Sequence, residues 1–257
     1  MIELNHLVKK FGELVAVNDV NLSVGRGEFF AVLGPNAAGK TTIIRILAGL
    51  LKPTSGFTRV AGYDVQTHPL EARRRLAYVP DFPFLYDKLT PWEFFRFTGQ
   101  LFQMSEAKIQ ATAHELIPRF HLEEFVKKPI EGLSHGTKQR VAILSALMHD
   151  PEVFVIDEPM VGLDPQHARI VKDILKERSL KGMSVFLSTH QLSVAEEMAD
   201  RIGIMHQGKM IAVGTHDELR KQSGHGELER AFLALTAEQE KPAAMPDASD
   251  EKVMLPK

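Results

Sequence analysis

Nearly continuous apolar runs are the main feature of the hydrophobic pattern along this chain. They occupy residues 29–33, 76–79, 153–156 and 184–188. A strand that is covered on both faces, as in a parallel sheet, has apolar residues without alternation. The pattern therefore predicts a central sheet in which these four runs are buried strands.

A second pattern, of short apolar clusters separated by turn signals, predicts antiparallel structure. The turn signals are Gly12 and residues 18–19, and Phe11 is expected in the loop before the next apolar segment. These strands are expected at residues 2–8, 20–24 and 57–61, and a last hairpin at residues 201–206 and 209–214. The first group predicts a small antiparallel β layer beside the central sheet.

Helix start signals divide the rest of the chain. Thr90 and Glu93 form a capping box with proline at the first helical position. Ser105 is a natural cap for the next helix, which is expected to end at about Ile117, before Pro118. No strand pattern appears until residue 153, so residues 88–150 are predicted to be a helical insertion. Further helices are expected at residues 43–48 and 69–76, after Ser134, after Asp164, and after the capping box of Thr215 and Glu218.

Composition and charge narrow the class of protein. A chain of 257 residues that is 44% apolar and 25% charged has the composition of an ordinary globular protein. It has no cysteine, which excludes disulfides and thiolate metal sites, and its net charge of −2 provides no global basic field, so no nucleic-acid partner is expected.

The ends of the chain add two expectations. The first residues do not form a secretory signal, and no apolar run reaches the length of about 18 residues that a membrane span needs. Any membrane role is therefore expected to come from a partner. Residues 237–257 contain three prolines and scattered acids without periodicity, which predicts a disordered tail.

A phosphate-binding motif lies between the apolar run at 29–33 and the predicted helix at 43–48. It has the form GxxxxGKT and comprises Gly34, Pro35, Asn36, Ala37, Ala38, Gly39, Lys40, Thr41 and Thr42. At a strand-to-helix turn, such a segment curls backbone N–H groups around phosphates with the helix N-terminus pointing at them. Lys40 would neutralise the β- and γ-phosphates, and the Thr41 hydroxyl would bind Mg²⁺. A chance match in a glycine-rich turn is the alternative, which the flanking strand and helix disfavour.

Two carboxylates follow the apolar run at 153–156. Asp157 is placed to bind Mg²⁺ opposite Thr41, because that ion prefers hard oxygen ligands. Glu158 comes next and is a candidate to orient and deprotonate a water molecule that attacks the γ-phosphate. The alternative for Glu158 is an ordinary solvated loop acid.

The order and spacing of five motifs resemble the ATP-binding subunits of ABC transporters. The motifs are residues 34–42, Leu133-Ser134-His135-Gly136, residues 153–158, Gly162-Leu163-Asp164-Pro165 and Ser188-Thr189-His190. The resemblance covers roughly residues 2–235. The signature segment looks most like the exporter branch that moves drugs and polysaccharides, and less like the sugar importers, whose subunits carry a further C-terminal regulatory domain.

The resemblance implies an ATPase with ATP and Mg²⁺ as its ligands, built as an α/β P-loop NTPase core with a mixed sheet, a small antiparallel β layer and an inserted helical subdomain. It implies an ABC ATPase domain at residues 1–236, with a RecA-like core at about 1–87 and 151–236 and the helical subdomain at about 88–150. It also implies that two subunits pair head to tail, as a homodimer or a pseudodimer. In that pairing, Ser134 and Gly136 of one subunit would close over the γ-phosphate bound by the other.

Three more residues take their roles from the resemblance alone. His190 corresponds to the switch histidine that contacts the γ-phosphate, and Asp164 to a residue that crosses the dimer interface. Phe11 matches an aromatic ring that stacks on adenine. The structural alternatives are a strand-end histidine, a helix cap and a core aromatic, and a capping role for Ser134 is compatible with its role at the nucleotide.

Three positions depart from the family pattern. Ala37 and His135 stand where the family commonly has glycine, and Asp81 stands where it usually has glutamine. Asp81 can still accept hydrogen bonds from water bound to Mg²⁺ but cannot donate them. We expect nucleotide binding and hydrolysis to survive these changes.

The aromatic-rich stretch after Asp81 is expected to bind the transmembrane permease that the resemblance implies, which would hold the chain at the cytoplasmic face of the membrane. Some of Phe82, Phe84, Leu85, Tyr86 and Trp92 are expected to form this docking groove. The alternative is that the rings fill the core of the helical subdomain, which is expected for Phe94, Phe95 and Phe97. Two rival functions remain open, a soluble ABC ATPase acting on ribosomes or nucleic acid, and a nucleotide or small-molecule kinase. The cargo is not encoded in this chain, because it would bind the permease.

Overall fold

The computed structural model describes residues 1–223 and Phe232. Within them the chain forms two β-sheets and a set of helices. The strands are β1 (Ile2–Phe11), β2 (Leu14–Val24), β3 (Phe29–Leu33), β4 (Ser55–Val60), β5 (Tyr63–Asp64), β6 (Leu76–Val79), β7 (Val153–Asp157), β8 (Ser184–Thr189), β9 (Arg201–His206) and β10 (Lys209–Gly214). The α-helices are α1 (Lys40–Leu47), α2 (Pro69–Arg75), α3 (Pro91–Leu101), α4 (Glu106–Arg119), α5 (His135–Leu147), α6 (Pro165–Leu180), α7 (Leu192–Met198) and α8 (His216–Ser223).

The larger sheet has six strands in the order β10-β9-β3-β8-β7-β6. Five strands are parallel to one another, namely β9, β3, β8, β7 and β6. The edge strand β10 pairs with β9 in the antiparallel direction. The four apolar runs of the sequence are β3, β6, β7 and β8, so the prediction of a mixed central sheet is confirmed. Its parallel strands all present their carboxyl ends at one edge.

Successive residues of the central strands are buried in two different cores. In β3, Phe29, Ala31 and Leu33 pack into the core that contains the helices α3 to α6, while Phe30 and Val32 pack into the core shared with α1 and the smaller sheet. Side chains of a strand point alternately to opposite faces, and here both faces are covered. This is why the strand is apolar throughout.

The smaller sheet is antiparallel, with the strand order β2-β1-β4-β5. Two local predictions about it were wrong. Residues 18–19 lie inside β2 and form no turn, because the register with β1 shifts there and Asp19 takes a left-handed backbone with φ of 52°. A β-bulge of this kind absorbs an extra residue without ending the strand. Phe11 pairs with Leu14 and is the last residue of β1, so it does not lie in a loop.

Only helices and loops lie between β6 and β7, as predicted for this stretch. Phe95 of α3, Leu116 of α4 and Leu144 of α5 are fully buried in the same core that covers one face of the central sheet. The predicted caps at Thr90 and Ser105 are present. The predicted end of α4 at Ile117 was wrong, since Pro118 lies within its last turn, where a missing N–H removes a single hydrogen bond.

The chain that follows the central sheet begins with the predicted capping box. Thr215 N–H donates to Glu218 Oε2 at 2.8 Å, and Glu218 N–H donates to Thr215 Oγ1 at 3.3 Å. The predicted tail at 237–257 and the predicted domain end at residue 236 lie outside the described residues.

Candidate functional site

The phosphate-binding turn connects the central strand β3 to α1, and its two motif glycines have no room for a side chain. A Cβ at Gly34 would lie 2.3 Å from the carbonyl oxygen of Met205, and one at Gly39 would lie 2.3 Å from that of Ala16. Gly39 also has φ of 105°, a conformation that L side chains rarely adopt. The turn therefore needs glycine at both positions to fit between neighbouring strands.

Lys40 lies in the first turn of α1 with its ammonium folded back over the loop. Its Nζ donates to the carbonyl oxygens of Gly34 at 2.6 Å and Pro35 at 3.0 Å. Burial lowers the pKa of Lys40, and the nearby carboxylates of Glu158 and Asp157 oppose that effect. A desolvated cation in this position interacts strongly with any phosphate that enters the loop.

Thr41 and Asp157 meet across the carboxyl edge of the sheet. Thr41 Oγ1 donates to Asp157 Oδ2 at 2.9 Å, and the Asp157 side chain is almost completely buried. The other carboxylate oxygen accepts a hydrogen bond from the Ser188 hydroxyl, because β7 and β8 pair with Asp157 opposite Ser188. Sequence reasoning missed this role of Ser188, although a hydroxyl at the end of an apolar strand beside β7 was a usable signal.

Glu158 and His190 come together just beyond the ends of the same two strands. The Glu158 carboxylate accepts from His190 Nδ1 at 2.7 Å and from the Thr189 hydroxyl at 3.2 Å. Glu158 itself has φ of 47°, and its N–H donates to Ser188 O at 3.0 Å. Three polar contacts hold Glu158, two at its carboxylate and one at its backbone N–H, so its position is well defined.

The phosphate-binding turn, Asp157 and Glu158 line one cleft of about 330 Å³. Most of the predicted nucleotide-binding residues line it. The lining residues are Phe11, Leu14, Ala16, Asn36, Ala37, Ala38, Gly39, Lys40, Thr41, Thr42, Asp81, Asp157 and Glu158. The Phe11 ring is 48% exposed, with the ammonium of Lys9 4.9 Å from its centroid. The cleft thus has an exposed ring at one side and the anion-binding turn at its base.

Ser134, Gly136 and Asp164 do not line this cleft. Ser134 Oγ caps α5 by accepting from Thr137 N–H at 3.3 Å, so its predicted capping role is confirmed. Asp164 caps α6, and hydrogen bonds from the His167 backbone and ring lower the pKa of Asp164. Both caps lie at helix N-termini whose residues are exposed, which leaves them accessible to another molecule.

The aromatic residues after Asp81 separate into different environments. Phe84, which is 82% exposed, and Leu85 line a groove of about 360 Å³ between β6, α3 and α5. Trp92 is half-buried and lines a different cavity with Ile117 and Val126, so it is not among the residues that form this groove.

Tyr86 and Phe97 form an edge-to-face pair with centroids 5.4 Å apart. Phe97 is 36% exposed, so its expected place in the core was wrong, whereas Phe95 is fully buried as predicted. The reason is helical periodicity, since positions two residues apart on α3 face different directions.

A phosphate-binding turn after a central parallel strand, with carboxylates at the end of a neighbouring strand, defines the chain as a P-loop nucleoside triphosphatase. The family model described as ABC transporter matches residues 17–161. The chain belongs to the ABC transporter family and is an ATP-binding ATPase of that family.

Relatives and solved structures agree with this assignment. The chain is 36% identical over 224 residues to the linearmycin resistance ATP-binding protein LnrL of Bacillus subtilis, covering 87% of this chain and 72% of the relative. It is 35% identical to the Nod factor export ATP-binding protein I of Cupriavidus pinatubonensis, covering 87% and 69%. A probable multidrug ABC transporter ATP-binding protein of Escherichia coli, YbhF, is 37% identical, and the match spans 91% of this chain but only 41% of that relative.

Among solved structures, the ATP-binding subunit of an ABC transporter superposes with a TM-score of 0.88 at 35% identity, covering 92% of this chain and 99% of the other. A dimeric ATP-binding cassette in a post-hydrolysis state, bound to ADP and phosphate, gives a TM-score of 0.76 at 28% identity, covering 84% and 98%. Over the described residues, no helix has both the length and the apolar character needed to cross a membrane.

Proposed function

We propose that this chain hydrolyses MgATP between two copies of itself and thereby powers export through a separate membrane permease. The single observation that carries the proposal is the pairing at the sheet edge, where Thr41 contacts Asp157 and His190 contacts Glu158 beside the phosphate-binding turn. Phosphoryl transfer to water requires oxygen atoms that bind a metal ion and a carboxylate near the phosphate, and this arrangement supplies both.

The donor set fits Mg²⁺. Thr41 and Asp157 supply two hard oxygens 2.9 Å apart, and Mg²⁺ is commonly held by one or two protein oxygens together with phosphates and water. Among the described residues, no group of three or more His, Cys, Asp or Glu side chains has the arrangement of a self-sufficient metal site. When bound, the ion would neutralise charge on the phosphates, and Asp81 would accept hydrogen bonds from its water.

Hydrolysis is assigned to the residues on either side of that oxygen pair. Glu158 would accept a proton from the attacking water as general base, while His190, which holds the Glu158 carboxylate, would contact the γ-phosphate. Lys40 would leave its two backbone acceptors and bind the phosphates, and the exposed ring of Phe11 would stack on adenine. Asn36, Ala37, Ala38 and Thr42 would contact the triphosphate through the backbone of the turn.

Two copies are needed because Ser134, Gly136 and Asp164 lie outside the cleft of their own copy. Ser134 and Gly136 lie at the N-terminus of α5, where unpaired N–H groups favour an anion. The arrangement is useful to ATP only if that helix end faces the cleft of a second copy. The similar cassette described as dimeric supports this pairing.

A permease partner would explain the exposed aromatic groove. Within residues 1–223, no element covers the apolar surface of Phe84 and Leu85, which is typical of a protein interface. The relatives are named for linearmycin resistance and for Nod factor export, so we infer that this subunit also works in export. It would then lie at the cytoplasmic face of the membrane, held there by the permease.

The test of hydrolysis is Glu158→Gln, which keeps the shape of the side chain and removes the base. We expect ATP binding to remain, the turnover rate to fall by about a hundredfold or more, and a dimer to accumulate with ATP and Mg²⁺ in gel filtration. Glu123→Gln is the matched control, because Glu123 is exposed and does not line the cleft. Wild-type turnover in Glu158→Gln, or a strictly monomeric protein, would overturn the proposal.

The permease proposal has its own test. Phe84→Ala should weaken co-purification with the permease about tenfold or more while ATPase activity of the isolated subunit is kept, because exposed aromatic anchors dominate interfaces. Leu180→Ala, on the equally exposed end of α6, is the control. Equal capture by both variants would remove this groove from the interface.

A further inference from the structure

His135 is exposed, yet its side chain is in contact on two sides. The centroid of its ring lies 5.9 Å from that of Phe82, with 36° between the ring planes. On the other side it lies against the backbone of Gly162, where an added Cβ would be 2.1 Å from His135 Cδ2 and 2.9 Å from Nε2. The ring is therefore inserted between two loops.

These two loops leave the carboxyl ends of the adjacent strands β6 and β7. Phe82 follows Asp81, which lines the ATP cleft and whose carboxylate accepts a hydrogen bond from Phe82 N–H at 2.9 Å. Gly162 lies two residues before Asp164, the cap of α6. The His135 ring thus connects the first turn of α5 to one loop that reaches the nucleotide and to another that reaches the proposed dimer interface.

The contact with Gly162 leaves little freedom. Gly162 has φ of 77°, and its carbonyl oxygen would lie 2.7 Å from a Cβ added at Gly136. Close packing without spare volume transmits a displacement of one element to its neighbour. On the opposite side, Phe82 also contacts Phe84 edge-on, with centroids 5.9 Å apart, so the aromatic contacts continue to the docking groove.

We propose that the His135 ring is a positioning element that sets the orientation of the α5 N-terminus relative to the Asp81 and Asp164 loops, through its flat shape and not through its nitrogens. This rests on the proposed function, because the orientation matters only if Ser134 and Gly136 act on the ATP of a second copy. In this chain a ring takes the place of a glycine, and it fills the gap between the two loops.

His135 does not line the cleft of its own copy, so we expect the affinity of a single copy for ATP to be unchanged when the ring is removed. Closure of the dimer depends on the ring, because a helix end that is turned by a small angle presents its N–H groups poorly to an anion. Loss of the ring therefore changes dimer formation and turnover but leaves the affinity of one copy for ATP unchanged.

The experiment uses the full chain with Glu158→Gln as background, in which ATP-dependent dimers accumulate. We compare His135→Gly with His135→Phe, which keeps a flat ring and removes both nitrogens. His135→Gly is expected to raise the ATP concentration for half-maximal dimer about tenfold, and His135→Phe to stay within about twofold of the background. Binding of a fluorescent ATP analogue at protein concentrations where the chain is monomeric should be equal in all three.

Phe82→Leu supplies the second arm. If the ring acts through Phe82, the double variant with His135→Gly is no worse than the more affected single variant, since both remove the same contact. Fluorescence of Trp92, the single tryptophan, checks that each variant is folded.

Each result has one meaning. Additive effects of His135→Gly and Phe82→Leu on dimer formation would overturn the positioning role. Dimer formation in His135→Phe as weak as in His135→Gly would also overturn it, and would assign the function to the ring nitrogens. Unchanged dimer formation in His135→Gly would overturn the inference alone. A Glu158→Gln background that never dimerises would instead overturn the proposed function.

Discussion

At the scale of single residues, the carboxylates of the site are held in place by hydrogen bonds from neighbouring side chains. Asp157 is oriented by hydroxyls on both of its oxygens, from Thr41 and from Ser188. Glu158 is held in a left-handed backbone conformation, which is costly for a residue with a Cβ and is found most often at functional sites. Such support fixes the ligand geometry before any nucleotide binds.

Ser188→Ala tests that support. The variant removes a hydroxyl that orients Asp157 but leaves both proposed metal oxygens in place. We expect the Mg²⁺ concentration for half-maximal ATPase activity to rise about tenfold, as is usual when a partner of a metal ligand is lost. ATP binding measured without Mg²⁺ should be unchanged, and a parallel loss there would instead indicate damage to the phosphate-binding turn.

Gly39→Ala tests the turn itself. We expect it to abolish ATP binding in a fluorescence titration, because the added methyl would meet the Ala16 carbonyl oxygen and φ is 105°. Gly62→Ala separates strain from contact, since Gly62 has φ of 84° but no atom lies within 4 Å of an added Cβ. That control should lose about 1 kcal/mol of stability and keep full ATP binding. Equal effects of the two would mean that strain alone governs this turn.

At the scale of elements, helix caps have two different uses in this fold. Ser105 and Ser134 cap α4 and α5 in the same way, each accepting from the N–H three residues later at 3.3 Å. Only Ser134 lies in the segment assigned to the dimer. A cap that also binds a ligand therefore has a stability role and a functional role that can be measured separately.

The pair Ser105→Ala and Ser134→Ala makes that measurement. Each should lower the free energy of unfolding by about 1 kcal/mol, because each loses an N-cap. Only Ser134→Ala should also weaken ATP-dependent dimer formation. Urea denaturation gives the first quantity and gel filtration of the Glu158→Gln background the second. If Ser105→Ala weakened the dimer equally, the effect of Ser134→Ala would be one of stability alone.

At the scale of the whole molecule, one core joins the inserted helices to a face of the central sheet. His149, at the end of α5, lines the groove between them and stacks on Phe102 with centroids 3.6 Å apart. Burial lowers the pKa of His149 from 6.5 to about 4. The backbone of Leu76 and the carboxylate of Asp150 have the opposite, smaller effect on this pKa. The proposed boundaries of the RecA-like core and the helical subdomain stay predictions.

His149 should therefore make stability sensitive to mild acid. Its pKa is lower in the folded state, so the unfolded chain takes up a proton first, and stability falls as the pH drops from about 6.5 towards 4. The loss from this group reaches about 3 kcal/mol at most. His149→Phe keeps the stacking and removes the titration, so urea denaturation across this range should show a smaller pH dependence than in the parent. An identical pH dependence would show that His149 does not contribute.

Local chemistry in the chain was enough to predict the buried strands, the helix caps and the phosphate-binding turn. Each depends on a few consecutive residues, such as the glycines and Lys40 of the turn or Thr90 and Glu93 at the start of α3. The same reasoning extended to Asp157 and Glu158 at the end of a buried strand. The roles of Ser134, Gly136 and His190 at the γ-phosphate came from the family resemblance, because they involve residues that are distant in sequence.

Contacts between distant segments could not be predicted from local sequence, because the pairing of strands depends on packing over the whole fold. The placement of β8 beside β7 brings Ser188 to Asp157 and His190 to Glu158, and neither contact has a local signature. For the same reason, Phe11 extends a strand, residues 18–19 form a bulge, and Trp92 faces a cavity apart from Phe84. Residue types thus set which chemistry is available, and the register of neighbouring strands and helices sets which groups meet.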